Sequence, residues 1–336
     1  MSCLVRISKA KSKCSRNTTR SVAAMLVLTA LLLLAPAGHA WGCKGHQTVA
    51  LIAESQLTPE AKQLLVGLLT ENPVDPNLKR YCGNALTDLF ADASTWPDDA
   101  RYERNNGSWH YIDIPRGERD RKSLDQYCGD QGCVTRAITE QIAILKDQAA
   151  SRVKRTEAVR YIIHLVGDLH QPLHAITNAD EGGNCVPLKY LRRNPQEHSH
   201  HYLPNLHAIW DSAILERDME GADPAEFANH LEEVFGAKLE SWQSAGIDLA
   251  DWVWESFDGA EKFGYEPLVP AVAVEPNIPV HSCADDDHIG ARLLSQHITA
   301  GEAYQQQAAP LAEQRVAQAG IRLAMILNEA AKPPAK

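Results

Sequence analysis

The stretch Tyr161–His174, YIIHLVGDLHQPLH, places several polar residues in an otherwise apolar helical pattern. Apolar residues recur at helical spacing over positions 158–169, which predicts a helix that starts near Thr156. On that helix His164 and Asp168 are four residues apart, so they share one face. A histidine and a carboxylate stacked on an apolar face are typical of one side of a metal site.

The segments beyond this helix extend the pattern. Pro172 is predicted to end the helix and start a turn that returns His174 towards the same place. His207 and Asp211, within NLHAIWDS, repeat the His-x-x-x-Asp spacing on a second predicted helix. Two such pairs in one chain are much less expected by chance than one, so both pairs are candidate metal ligands.

Three further residues are candidate ligands by their surroundings. Asp98 follows Trp96-Pro97, and His110 lies in WHYIDIP, where an unpaired polar ring among aromatic residues would be costly. His46 begins the first predicted helix.

The first 40 residues have the features of an export signal. They contain a basic segment without acidic residues, an apolar core over Ser21–Leu34 and a small-x-small sequence at Gly38-His39-Ala40. The apolar run is short and is soon followed by Pro36, which argues against a membrane span. We therefore expect cleavage between Ala40 and Trp41, and export without stable membrane association.

The net negative charge of residues 41–336 limits the ways in which this chain could bind an anionic ligand. Six of the 33 Lys and Arg residues lie in the first 40, so 27 basic residues face 43 acidic ones in the remainder, a formal charge of −16. A protein that binds nucleic acid through Lys and Arg alone should be basic. If the substrate is anionic, bound cations must supply positive charge locally.

The cysteines indicate disulfides. Six cysteines follow residue 40, and an even number in an exported chain favours disulfides over thiolate metal ligands. Cys128 and Cys133 are close enough in sequence to close a small loop. The other four allow three pairings, which the sequence leaves open: Cys43, Cys82, Cys185 and Cys283.

Helical patterns account for most of the chain, and alternating β-branched residues are scarce, so the predicted fold is all-α with long, disulfide-tied loops and one domain over residues 41–336. One helix is predicted to end before Trp96-Pro97. Residues 98–132 and 179–206 read as loops, and residues 285–305 as a helix.

In this order the motifs WGCKGH, WPDDAR, WHYIDIP, HLVGDLHQPLH, EGGN and NLHAIWDS resemble those of the single-strand-specific zinc nucleases, whose fold is shared with zinc phospholipase C. The resemblance covers residues 41–211 by motif, and the C-terminal third fits only as helices. It implies an all-α, phospholipase C-like fold with three zinc ions. The implied ligands of the first zinc ion are Asp98, His110, His164 and Asp168. The second zinc ion is implied to bind the amine and carbonyl of Trp41, His46 and the bridging Asp168, and the third to bind His174, His207 and Asp211.

The resemblance also implies an activity. The expected reaction is endonucleolytic hydrolysis of P–O3′ bonds in single-stranded DNA and RNA, with 5′-phosphate products and 3′-nucleotidase activity, by a monomer. Arg101 matches an arginine that neutralises phosphoryl charge, beside the catalytic carboxylates Asp98 and Asp168. Tyr111, Asp113 and Asn184 match a base-binding pocket, and stacking on any base explains preference for single strands without sequence preference.

Two other functions are weighed against this one. Zinc phospholipase C is expected to carry Glu as its last ligand, so Asp211 favours the nuclease. A non-catalytic zinc-binding protein has no need of Arg101 or of a base pocket. His170 is interpreted as a hydrogen-bonding residue and not a ligand. The histidines of a loop longer than the family pattern are interpreted as exposed: His198, His200 and His201.

Overall fold

The computed structural model describes residues 41–83, 88–121, 123–198, 201–269, 271–272 and 293–333. These residues belong to one compact unit and contain ten α-helices: α1 Cys43–Ser55, α2 Pro59–Glu71, α3 Leu89–Arg104, α4 Val134–Lys146, α5 Arg152–His170, α6 Leu206–Ala208, α7 Ile214–Asp218, α8 Pro224–Ser244, α9 Leu249–Gly259 and α10 Glu302–Ala330. No helix in this described part is both long and apolar enough to cross a lipid bilayer.

Strands are short and peripheral. β1, Lys189–Tyr190, pairs in parallel with β4, Thr299–Ala300, and β2, Gln196–His198, pairs antiparallel with β3, His201–Leu203. Among the described residues, helix predominates and strands are few, so the fold is all-α, as the sequence predicted.

Helix α5 forms the centre of the molecule. Every residue from Ala158 to His170 is buried, and the helix packs against α1, α3, α4 and α10. It begins at Arg152, one turn earlier than predicted, because the Ser151 hydroxyl accepts a hydrogen bond from the amide of Lys154. Thr156 lies inside the helix, where its hydroxyl donates to the carbonyl of Leu68 on α2.

Helix α3 differs from the prediction. It continues through Pro97 to Arg104, so Asp98 and Arg101 lie on a helix and not in a loop. Proline inside a helix removes one backbone hydrogen bond, and such a helix persists only when tertiary contacts compensate. Here Arg80 bonds to Asp92 and Thr95, on the turn before the proline.

The C-terminal region requires a second correction. The predicted helix over residues 285–305 is interrupted, because Thr299–Ala300 is a strand and α10 starts only at Glu302. The parallel pairing with Lys189–Tyr190 extends these residues against the loop that follows α5. Residues 285–292 lie outside the described residues.

Disulfides tie the loops, as expected. Cys128 is bonded to Cys133, confirming the predicted small loop, and Cys43 is bonded to Cys82, which the sequence left open. Cys185 is also disulfide-bonded, whereas Cys283 lies outside the described residues.

Candidate metal centre

Three groups of His and Asp side chains lie in the interior, each with ligand atoms within 4.8 Å of one another. His46 of α1 joins His164 and Asp168 of α5 in the first group, and Asp98 of α3 joins His110 and His164 in the second. The third consists of His174, His207 and Asp211. Every side chain in the three groups is buried. Eight of the nine positions predicted from the sequence, all except the main-chain groups of Trp41, are thus brought together from five separate segments of the chain.

Asp168 connects the first two groups. Its Oδ1 lies 3.2 Å from Nε2 of His46. Its Oδ2 lies 2.9 Å from Nδ1 of His110 and 3.2 Å from Nε2 of His164. The two oxygens of one carboxylate therefore face different groups, which is the geometry of a bridging ligand. Gly167 permits this approach, because a Cβ there would lie 2.8 Å from Nδ1 of His46.

Backbone carbonyls fix the orientation of three histidine rings. Nδ1 of His164 donates to the carbonyl of Ser94 at 2.6 Å. In the same way, Nδ1 of His174 donates to the carbonyl of His110 at 2.7 Å, and Nδ1 of His207 donates to the carbonyl of Gly182 at 2.8 Å. A carbonyl only accepts, so in each ring the Nδ1 carries the hydrogen and Nε2 is directed into the site. Metal-binding histidines typically have this second hydrogen bond.

The first two groups stabilise positive charge. Burial alone would lower the pKa of His164, but the carboxylates of Asp168 and Asp98 outweigh burial and raise it to about 9. His46, stacked on His164 with ring centroids 4.0 Å apart, has its pKa lowered to about 4 by burial and by the charge of His164. A cation held between these carboxylates would experience the same stabilisation.

The third group is built on a distorted helix. Between α6 and α7 the backbone makes a π-helical turn, Ile209–Ala213, a feature often found at functional sites. Nε2 of His207 lies 3.2 Å from Nε2 of His174 and 3.5 Å from Oδ2 of Asp211. The amide of Gln171, fully buried, donates to Oδ1 of Asp211 at 2.5 Å.

Several donor atoms are suited to a cation. In the second group, Nδ1 of His110 lies 3.0 Å from Nε2 of His164, and in the third group the Nε2 atoms of His174 and His207 point at each other at 3.2 Å. Buried polar atoms normally have partners, and a shared metal ion would satisfy such converging nitrogens. The donor set fits a metal.

The predicted substrate-contacting residues border these groups. Arg101, with its side chain 14% exposed, lies on α3 with Nη1 3.7 Å from Oδ1 of Asp98. Tyr111 follows His110 and is 41% exposed. Burial, together with the negative charges of Asp113 and Glu181, raises the pKa of the Tyr111 phenol. The side-chain amide of Asn184 donates to the backbone carbonyl of Glu181.

Asp113 has an unusual environment for a residue that reaches solvent. Protein atoms surround its carboxyl, and this desolvation together with the charge of Asp180 raises its pKa to about 6. Asp180 is buried, and the hydroxyl of Tyr265 donates to it. Tyr111, Asp113 and the loop carrying Asn184 thus place polar groups close to one exposed aromatic ring.

Other residues fall outside the groups or were missed. His170 is buried, and its Nδ1 donates to the carbonyl of Val166, so it is a hydrogen-bonding residue as interpreted. The side chains of His198 and His201, and all of His200, lie outside what the structure describes. Sequence reasoning missed Gln171, which lies inside the quoted motif but whose contact with Asp211 depends on the return of the second helix.

Comparison with known proteins identifies the family of this chain. A family model described as S1/P1 Nuclease matches residues 41–332. Endonuclease 4 of Arabidopsis thaliana is 28% identical, covering 91% of this chain and 93% of the relative. Nuclease S1 of Aspergillus oryzae is also 28% identical, covering 92% of this chain and 98% of the relative. The resemblance seen in the motifs is thereby confirmed, and the chain belongs to the S1/P1 nuclease family.

Proposed function

We propose that this chain is a zinc-dependent endonuclease that hydrolyses P–O3′ bonds of single-stranded DNA and RNA to 5′-phosphate products, with 3′-nucleotidase activity on 3′-nucleotides. Residues 41–336 form the nuclease domain after removal of residues 1–40, and the enzyme acts as a monomer in the periplasm or outside the cell. The observation that supports this most is the bridging position of Asp168, with three histidine nitrogens within 3.2 Å of its two oxygens.

The donor atoms define which residues would hold three zinc ions. The first ion would take Asp98, His110, His164 and Asp168; the second, the amine and carbonyl of Trp41, His46 and Asp168; the third, His174, His207 and Asp211. All are nitrogen or oxygen donors that zinc accepts. Such ions supply a water-derived nucleophile near neutral pH and stabilise charge on the leaving oxygen.

The role of Trp41 depends on export. Its amine becomes free only when the chain is cut after Ala40, and its backbone would then be available to the zinc ion held by His46 and Asp168. Support comes from its position: the Trp41 side chain is fully buried, and the amide of the next residue, Gly42, donates to the carbonyl of Asp211 at 2.5 Å. Cleavage would therefore link localisation to activity.

The chain's own side chains would bind and orient the substrate. Arg101, beside Asp98, is placed to neutralise charge on the phosphoryl oxygens, and its planar fork suits that task. Tyr111 would stack on a base, while Asp113 and Asn184 would bond to the edge of that base. A paired base would first have to leave its duplex, which favours single strands.

The decisive experiment combines metal analysis with a choice of substrates. We expect close to three zinc ions per chain of processed protein, and cleavage of single-stranded DNA and RNA faster than duplex DNA, with loss of activity in EDTA. Hydrolysis of phosphatidylcholine without nuclease activity would replace the proposal by the phospholipase C alternative. One zinc ion or none in fully active protein would overturn the trinuclear centre.

A further inference from the structure

Tyr81 is an exposed aromatic residue that the sequence motifs do not mark. Among the side chains the structure describes, two aromatic rings are strongly exposed: Tyr81 at 42% and Tyr111 at 41%. Tyr111 lies near Asp113 and Glu181. Tyr81 lies in the loop between α2 and α3. An exposed aromatic ring near a nuclease site offers a surface on which a base can stack.

Helix α3 holds the Tyr81 backbone from one side. The amide of Tyr81 donates to Oδ1 of Asp99 at 2.5 Å, and Asp99 is the neighbour of Asp98 in the second group. The preceding residue, Arg80, is only 10% exposed and places its Nε 2.8 Å from Oδ2 of the same Asp99. Because Arg80 points into α3, the loop is attached at the turn that carries Asp98.

The start of α1 holds the loop from the other side. The residue after Tyr81, Cys82, is disulfide-bonded to Cys43. Cys43 directly follows Gly42, whose amide donates to the backbone carbonyl of Asp211 in the third group. Covalent and hydrogen bonds therefore place Tyr81 between the segments that supply Asp98 and Asp211.

Electrostatics agrees with this position. The charged groups that act on the Tyr81 phenol are Asp211, Asp98, Arg101 and Glu216. Burial of the hydroxyl and the three carboxylates raise the pKa of Tyr81 to about 12, so the phenol is neutral at working pH. Tyr111 faces a different set, Asp113 and Glu181, so the two rings border different edges of the site.

We propose that Tyr81 is a substrate-binding residue whose ring stacks on the base across the cleaved phosphodiester from the base held at Tyr111. The inference rests on the proposed function. A 3′-nucleotide has one base and one phosphate, so one pocket beside the metal groups is enough for it. A polynucleotide continues past the phosphate, and its next base needs a second, neutral surface in an otherwise acidic protein. Stacking provides one without sequence preference.

The test compares two substrates in Tyr81→Ala and Tyr81→Phe. On single-stranded decathymidylate, Tyr81→Ala should raise KM about fivefold or more, the effect of losing one base stack, with kcat little changed. On thymidine 3′-phosphate, which lacks the second base, KM should stay at the wild-type value. Tyr81→Phe keeps the ring and should behave as wild type on both.

Two controls separate a binding role from a structural one. Val153→Ala removes another exposed apolar side chain, 55% exposed, from the far end of α5, roughly 22 Å along the helix axis from Asp168. Zinc content and Tm should be unchanged in all three variants. Unchanged decathymidylate KM in Tyr81→Ala overturns the proposal, and so does a parallel loss on both substrates with lower zinc content. Wild-type protein that cleaves no single-stranded DNA would instead refute the proposed function itself.

Discussion

The two His-x-x-x-Asp pairs have the same spacing but opposite electrostatics. Around Asp168, burial would raise the carboxyl pKa, but the charge of His164 and hydrogen bonds from His110, His164 and His46 together hold it well below its usual range. Around Asp211, burial dominates, and the pKa lies well above its usual range despite the hydrogen bond from Gln171. Asp168 and Asp98 add negative charge there, and Arg101 is the opposing cation.

Local geometry explains the contrast. On the regular helix α5, Asp168 has three imidazoles within 3.2 Å of its carboxylate oxygens. On the π-helical turn, Asp211 lies 3.5 Å from His207 and 3.9 Å from His174. The chain therefore compensates the first carboxylate from its own side chains, whereas the second depends more on a cation from outside. The same sequence spacing thus serves two kinds of site.

Replacing Asp168 should have the largest effect. Asp168→Asn keeps the shape but loses the charge that three histidines face, and breaking such a buried pair typically costs about 3–5 kcal/mol of unfolding free energy. Zinc content should fall at two positions, and activity should fall with it. Elemental analysis, denaturant unfolding and nuclease assays measure this.

Asp211→Asn provides the matched comparison, since it should remove one zinc ion and leave the other two. Full metal content and activity in Asp168→Asn would show that the bridging role is wrong.

The next effect tests Arg101, the cation that lies beside Asp98 and whose charge acts on Asp211. Arg101→Ala removes a contact expected mainly in the transition state, so kcat should fall about a hundred- to thousandfold, or roughly 2.7–4 kcal/mol, with three zinc ions retained. Arg104, one turn further on α3 and paired with Glu157, is the control. Arg104→Ala should leave kcat near wild type. If Arg101→Ala did the same, the arginine would be a surface residue without a phosphate contact.

A smaller effect should follow from the residue that orients Asp211. Gln171→Leu removes the buried amide that donates to its Oδ1, and loss of such an orienting contact typically weakens metal affinity about 10–100-fold. Zinc should be lost first from the third group in a chelator titration, while the first two groups keep theirs. Gln305→Leu, at another buried amide that bonds to Ile214, controls for general destabilisation. Equal zinc loss from all groups in Gln171→Leu would argue against this role.

These residues show what the sequence can and cannot predict. The pairs His164/Asp168 and His207/Asp211 were visible because helical spacing converts sequence distance into a shared face. The roles of Gln171 and Tyr81 could not be predicted from the sequence, because their contacts join segments that meet only after folding. Pro97 misled for the same reason: contacts from Arg80 keep α3 intact across a residue that normally ends a helix. The Cys43–Cys82 pairing likewise depends on where the α2–α3 loop returns.

The smallest effect concerns the zinc-free protein, in which the two carboxylates should change the free energy of unfolding with pH in opposite directions. A raised carboxyl pKa means that the folded state binds a proton more tightly than the unfolded state, so the stability from Asp211 is present at low pH and is lost as pH rises towards its raised pKa. Asp168 has the opposite sign: its stability is present above the usual carboxyl range and is lost as pH falls. In EDTA-treated protein, Asp211→Asn should therefore gain stability relative to wild type as pH rises above about 4, by at most about 1.4 kcal/mol per pH unit. Asp168→Asn should lose stability relative to wild type as pH rises towards about 4 from below. Urea unfolding at a series of pH values measures both slopes. Slopes of the same sign would show that the two carboxylates are compensated alike and that the contrast between them is wrong.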